Sequence, residues 1–179
     1  MDPTRNCLSY WFPRLLNANI PVPRTKIVWT DVDLSPLLDG KLPEGWDAFL
    51  AKLTRAADID CRFFLRTGQG SGKHQWKDTC YVKGFEDLPK HVAALVEWSA
   101  MVDFIGLPTN VWCVREFLKL ETAFTLPGYG DMPLAREFRC FVRDGKVQCV
   151  HPYWPEDAVE QGRPTEPDWR ERWRKLSQL

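Results

Sequence analysis

Apolar and polar positions along this 179-residue chain fall into short segments of two periods, punctuated by prolines and glycines. The stretch NIPVPRTKIVWTDVDL (19–34) opens on a Pro-x-Pro turn and runs into β-branched residues, which predicts a strand from Lys26 to Thr30. Trp46, Phe49, Leu50, Leu53 and Ala57 then recur at helical spacing, predicting an amphipathic helix over Glu44 to Asp58. CRFFL (61–65) reads as a short buried strand and TCYVKGF (79–85) as a second. A helix is expected from Leu88 to Phe104, with Val92, Leu95, Val96 and Met101 on its apolar side. VWCVREFL (111–118) is another strand, followed by a looser segment, TAFTLPGYGDMP. REFRCFVRDGKVQCVH then carries Asp144-Gly145, a strong type I′ hairpin signal. The tail, PDWRERWRKLSQL, predicts a short helix with Trp169, Trp173 and Leu176 on one side.

Pairing the hairpin strands across Asp144-Gly145 sets Phe141 opposite Gln148, Arg139 opposite Val150 and Cys140 opposite Cys149. Period two then sorts the faces. Phe138, Cys140, Val142, Val147 and Cys149 form a core face, with the cysteines as a buried thiol pair or a cross-strand disulfide. Glu137, Arg139 and Gln148 form a polar face, which either lines a cleft or shows its charges to water.

Composition narrows the classes. The chain is 44% apolar and 27% charged, enough for a core in one domain or two small lobes. Lys+Arg and Asp+Glu are both 24, so the footprint of a general nucleic-acid binder is missing. The six cysteines include no CxxC pair, which points to reduced thiols and not to a zinc knuckle or a disulfide framework. His74, His91 and His151 are scattered, and no HxxxH or HExxH pattern supports a metal site. The first residues lack the basic start and apolar run of a signal peptide, and no apolar stretch is long enough to span a bilayer, so a cytoplasmic location with no membrane partner is expected.

The chemistry concentrates in RTGQGSGKHQW (66–76). Its glycines, serine and lysine have the composition of a phosphate-gripping loop, but neither common motif fits. Thr67 stands where a Walker loop needs its first glycine, and the glycines are spaced GxGxG and not GxGxxG. The loop joins strand to strand, as a flap folded over a nucleotide would, and does not enter a helix N-terminus. In such a flap glycines let backbone N–H groups approach phosphates while the lysine neutralises charge. A flexible hairpin tip with a solvated lysine is the structural alternative.

Taken in order, NIPVPRT, FFLRTGQGSGKHQW, VREFL and EFRCFVRDGK resemble the successive nucleotide-binding elements of the ATP-grasp superfamily over residues 17–151. The likeness is to its divergent branch, which includes the eukaryotic cell-division-cycle 123 family and small viral and bacterial relatives. The resemblance implies an α+β fold in which two small lobes of antiparallel sheet with helices clamp ATP. The lobes would be residues 1–108, carrying the glycine flap, and 109–179, carrying the hinge strand, the hairpin and the terminal helix. Arg66 stands where many members place a phosphate-binding lysine. Gly68, Gly70, Ser71, Gly72 and Lys73 match the flap, with Ser71 and Lys73 near the β and γ phosphates. The backbone C=O of Glu116 and N–H of Leu118 would read the adenine edge, and Glu137 would accept from the ribose hydroxyls. Arg139 would reach the γ-phosphate or an acyl-phosphate and, with Lys73, carry the catalysis.

The implied activity is ATP- and Mg2+-dependent joining of a carboxylate to an amine through an acyl-phosphate. The alternative is a non-catalytic, ATP-dependent assembly protein acting on a protein client. One departure bears on this choice. The family's magnesium ligands come late, as an acid followed by an asparagine or second carboxylate on a core strand, whereas this sequence has no Asn after Asn110. The last core strand is therefore expected to be lacking and the metal site incomplete, with its ligands unassigned.

Overall fold

The computed structural model describes residues 3–58, 62–102 and 106–178. The chain divides into two compact units, 1–118 and 119–179. Both are mixed α+β with antiparallel sheets, as the sequence predicts.

The first unit is built on a four-stranded antiparallel sheet of order β1-β4-β2-β3. Its strands are β1 (Thr25–Trp29), β2 (Phe63–Thr67), β3 (Tyr81–Val82) and β4 (Val111–Glu116). The helices are α1 (Leu8–Asn17), α2 (Trp46–Ala56) and α3 (Leu88–Met101). Period two decides what each sheet face buries. Phe63, Leu65, Val82, Trp112 and Val114 point to one face and join Trp46, Phe49 and Leu53 of α2 with Leu88, Val92, Leu95 and Val96 of α3 in the main core. Phe49 meets the Trp112 ring edge-on at 5.5 Å, an arrangement aromatic rings favour. On the opposite face Val111 and Cys113 pack with Cys7, Leu8 and Phe12 at the start of α1. β4 is covered on both sides, so its first four residues are all buried. β2 alternates: Phe63, Leu65 and Thr67 are buried, Phe64 and Arg66 half-buried.

The second unit contains hairpins β5–β6 (Thr122–Leu126, Met132–Ala135) and β7–β8 (Phe138–Arg143, Lys146–Pro152), followed by α4 (Glu156–Gln161) and α5 (Trp169–Ser177). Phe124, Leu126, Met132, Leu134, Trp154, Val159 and Trp169 form its buried apolar set. α5 lies against β5 and β8. Trp173 Nε1 donates to the Trp154 carbonyl at 3.1 Å, so the aromatic side of the terminal helix covers sheet of its own unit.

Several local readings change. α1 is not expected from the sequence. Its Leu8 and Phe12 are spaced by one turn and buried, but Pro13 inside the helix, which deprives one carbonyl of its partner, hides the pattern. β2 runs on through Arg66 to Thr67; Cys61 lies outside the described residues. β3 has two residues in place of the seven expected, because Thr79 and Cys80 are held in turns by Gln75 and Trp76 carbonyls. Met101 is exposed at the end of α3, and the expected continuation to Phe104 falls outside the described residues. The loose segment after β4 is a hairpin whose turn needs Gly128: a Cβ there would stand 2.9 Å from the Gln161 carbonyl.

The β7–β8 turn forms as expected, with Asp144 and Gly145 both at positive φ. Its register differs by one residue. A bulge between Phe141 and Val142 leaves Gln148 unpaired, and the Gln148 amide donates to the carbonyls of Arg143 and Lys146. Phe141 therefore faces Cys149, Cys140 faces Val150 and Arg139 faces His151. Cys140 and Cys149 fall on opposite faces as free, exposed thiols, so neither the buried pair nor a disulfide forms. The expected core face is not buried, since Val142 and Val147 are 62% and 59% exposed.

Candidate functional site

Arg66 is the most unusual cation of the first unit. It sits inside β2 opposite Cys113, on the face to which the start of α1 packs. Burial lowers its pKa from the ordinary guanidinium value, yet arginine stays charged at any physiological pH. Its Nε donates to the Thr67 carbonyl at 3.0 Å. No carboxylate among the described residues forms an ion pair with it. Thiols lie near it: burial pushes Cys80 up to about 11 and Cys113 up to about 12, so both are neutral at pH 7 and offer no counter-charge. A half-buried guanidinium with no carboxylate ion pair among the described residues has the electrostatics to attract an anion.

Two further cations share its surroundings. Cys80 lies within electrostatic reach of Arg66, Arg115 and Lys73. Arg115 stands opposite Phe64 in the register, two residues along the same face from Arg66's partner Cys113, with its guanidinium 4.7 Å from the Phe64 ring centroid. Beside it Tyr81 stacks on Trp76 at 4.6 Å and meets Phe117 at 4.6 Å, all three half-buried. Sequence reasoning missed Arg115, Trp76 and Tyr81. Arg115 had a signal in its period-two spacing from Cys113, but that spacing acquires meaning only through the β2–β4 register.

The glycine loop is packed, and its glycines have steric reasons to be glycine. A Cβ on Gly68 would stand 2.4 Å from Cys7 Sγ, one on Gly70 2.2 Å from the Trp98 ring, and Gly72 has φ +57. The Gly68 N–H donates to the Val111 carbonyl at 2.7 Å and the Gly70 N–H to Thr67 Oγ1 at 3.1 Å. Thr79 Oγ1 anchors the far side through the Gly72 carbonyl at 2.9 Å, and the Thr79 carbonyl in turn bonds His91 Nδ1 at 2.9 Å. The donors of Gly68 and Gly70 thus serve the fold. Ser71 and Lys73, which follow, are half-buried on either side of the buried Gly72.

VREFL ends the sheet of the first unit, where β4 pairs with both β1 and β2. Hydrogen bonds from Arg24 lower the Glu116 pKa from the ordinary carboxylate value: Nε to Oε2 at 2.8 Å, backbone N–H to Oε1 at 2.7 Å. The Glu116 N–H in turn donates to the Arg24 carbonyl at 2.9 Å, so Arg24 and Glu116 bond through both backbone and side chain. Leu118, the other expected hinge residue, is 48% exposed.

Glu137 and Arg139 belong to the second unit. The Glu137 carbonyl accepts from the Tyr153 N–H at 2.9 Å, extending the hairpin ladder. Both residues precede the bulge, so they keep a common face. Arg139 is exposed and lies 4.5 Å from the Tyr153 ring centroid. Glu137 borders a shallow cavity with Trp154 and Trp173.

Among the described residues no three His, Cys, Asp or Glu side chains are grouped to hold a metal ion, and no helix is long and apolar enough to cross a membrane. A family model for an ATP-grasp domain, the third family of its clade, matches residues 51–177. No curated protein and no solved structure matches the chain.

Proposed function

The chain belongs to the ATP-grasp superfamily, and from that premise we propose that it is an ATP-dependent carboxylate–amine ligase. ATP binding is the coarse property the family carries. The observation that supports a specific phosphate site is Arg66, half-buried, permanently charged and without a carboxylate ion pair among the described residues.

In this reading Arg66 and Lys73 bind the phosphate chain, Ser71 adds a hydroxyl, and Gly68, Gly70 and Gly72 shape the loop. The C=O of Glu116 and N–H of Leu118 read the adenine edge. Glu137 accepts from the ribose, and Arg139 holds the transferring group. The acceptor carboxylate attacks the γ-phosphorus and ADP leaves. The amine then attacks the acyl carbon, releasing inorganic phosphate and a proton as the amide forms. Magnesium would supply charge neutralisation on the phosphates. Among the described residues no three His, Cys, Asp or Glu side chains are grouped as an independent metal site, so no step is assigned to a protein-held ion.

The sequence departure at the family's late metal ligands, no Asn after Asn110, favours a second reading, an ATP-dependent assembly protein that binds nucleotide without efficient turnover on a protein client. Calorimetric titration with Mg-ATP, followed by an ADP-release assay, separates the two. Release that requires both an added carboxylate and an added amine supports the ligase. Binding without release supports the assembly role, and no binding removes both.

A further inference from the structure

We infer that the first turn of α1, which lies outside the family-matched region 51–177, is the element that positions the glycine loop for the phosphate chain. The inference rests on the nucleotide reading above and adds residues to it: Cys7 and Leu8 as positioning residues.

Two contacts carry it. The Leu8 N–H donates to the Gly68 carbonyl at 2.7 Å. This is one of the first N–H groups of a helix, which have no acceptor within the helix itself, so the loop supplies the missing acceptor. The second contact is steric: Cys7 Sγ occupies the space that any Cβ on Gly68 would fill, 2.4 Å away. The Cys7 side chain makes no cap bond to the helix. It is 8% exposed, and together with Leu8 and Phe12 it packs on Val111 and Cys113. The Gly68 N–H is fixed by the Val111 carbonyl at 2.7 Å, so the Gly68 residue is held at both its amide and its carbonyl. Peptide planarity then aims the Gln69 N–H away from α1, and the Thr67–Gly70 bonds at 2.9 and 3.1 Å pass that orientation on to Ser71. The loop beyond Gly68 is thus aimed by the first turn of α1 through the Gly68 carbonyl.

The test is a rescue. Gly68→Ala drives a methyl into Cys7 Sγ, and Cys7→Ala in that background removes the obstructing sulfur while Val111, 3.0 Å away, gives by a few tenths of an ångström. Mg-ATP and adenosine affinities are measured for the parent, both single variants and the double variant, with amide exchange at Leu8 and residues 69–72 read in parallel. Gly68→Ala is expected to weaken Mg-ATP about tenfold, the scale of one misplaced hydrogen bond, to leave adenosine within about twofold, and to speed exchange at Leu8 and the loop. The double variant is expected to recover most of the Mg-ATP affinity and the slow exchange. A purely structural role for α1 predicts equal losses for adenosine and faster exchange in α2 and α3; that outcome, or a double variant no better than Gly68→Ala, overturns the inference. A parent that binds no Mg-ATP overturns the nucleotide reading itself, whereas a parent that binds without rescue overturns only the role of α1.

Discussion

Replacing Arg66 by methionine is expected to move stability and binding in opposite directions. In the parent a charged group sits in a desolvated place beside two neutral thiols and one backbone carbonyl. Replacing a buried charge by an apolar side chain of similar length is generally neutral to stabilising, by up to about 1–4 kcal/mol for buried ionic groups. Arg66 is only half-buried and keeps one hydrogen bond, so the lower part of that range applies, about 0–2 kcal/mol. Phosphate affinity goes the other way. Loss of one charge-assisted bond is worth about 1.5–3 kcal/mol, or about ten- to a hundredfold in Kd. Urea unfolding of both chains gives the first quantity; calorimetry with Mg-ATP, pyrophosphate and adenosine gives the second. The expected result is a midpoint at or above the parent's, with losses for ATP and pyrophosphate and none for adenosine. A clearly lower midpoint with an unchanged slope would mean that the guanidinium has an internal partner, and the anion-site argument would fail. Equal loss for all three ligands would refute it as well.

Lys73→Ala should weaken ATP by a similar factor, about tenfold or more, and adenosine little; equal weakening would remove Lys73 from the phosphates. An ATP analogue lacking the ribose hydroxyls should bind the parent less well than ATP but Glu137→Ala no worse than ATP, and simple additivity in that comparison would break the Glu137–ribose pairing. His91 is buried and neutral, its pKa lowered by desolvation while its bond to the Thr79 carbonyl opposes the shift. Its contribution to stability is therefore full above the ordinary histidine value of about 6.5 and is lost as pH falls from there toward the lowered folded value. Unfolding midpoints from pH 8 to 5 should show this slope in the parent and a shallower one in His91→Gln; identical slopes would assign it to other groups.

Features written within a few residues were legible along the chain. The spacing of Trp46, Phe49 and Leu53 set α2, the β-branched run set β1, and Asp144-Gly145 set the β7–β8 turn, because each depends on side-chain period or on a local backbone conformation. The order of RTGQGSGK and VREFL likewise carried the superfamily resemblance, which the match over residues 51–177 supports. Whatever depends on a distant partner emerged only on folding. A one-residue bulge at Gln148 changed which residues face each other across the hairpin, since pairing before the turn does not constrain pairing beyond an irregularity. α1 became visible only through the sheet face that buries Leu8 and Phe12. The electrostatic character of Arg66 was equally illegible: any arginine is charged, but its burial beside Cys113 follows from a strand joined to it 47 positions along by the register Arg66↔Cys113 (113 − 66). The glycines of the loop read as freedom in one dimension and prove to be close approach in three, because Cys7, Trp98 and Thr79 reach them from three separate segments of the chain.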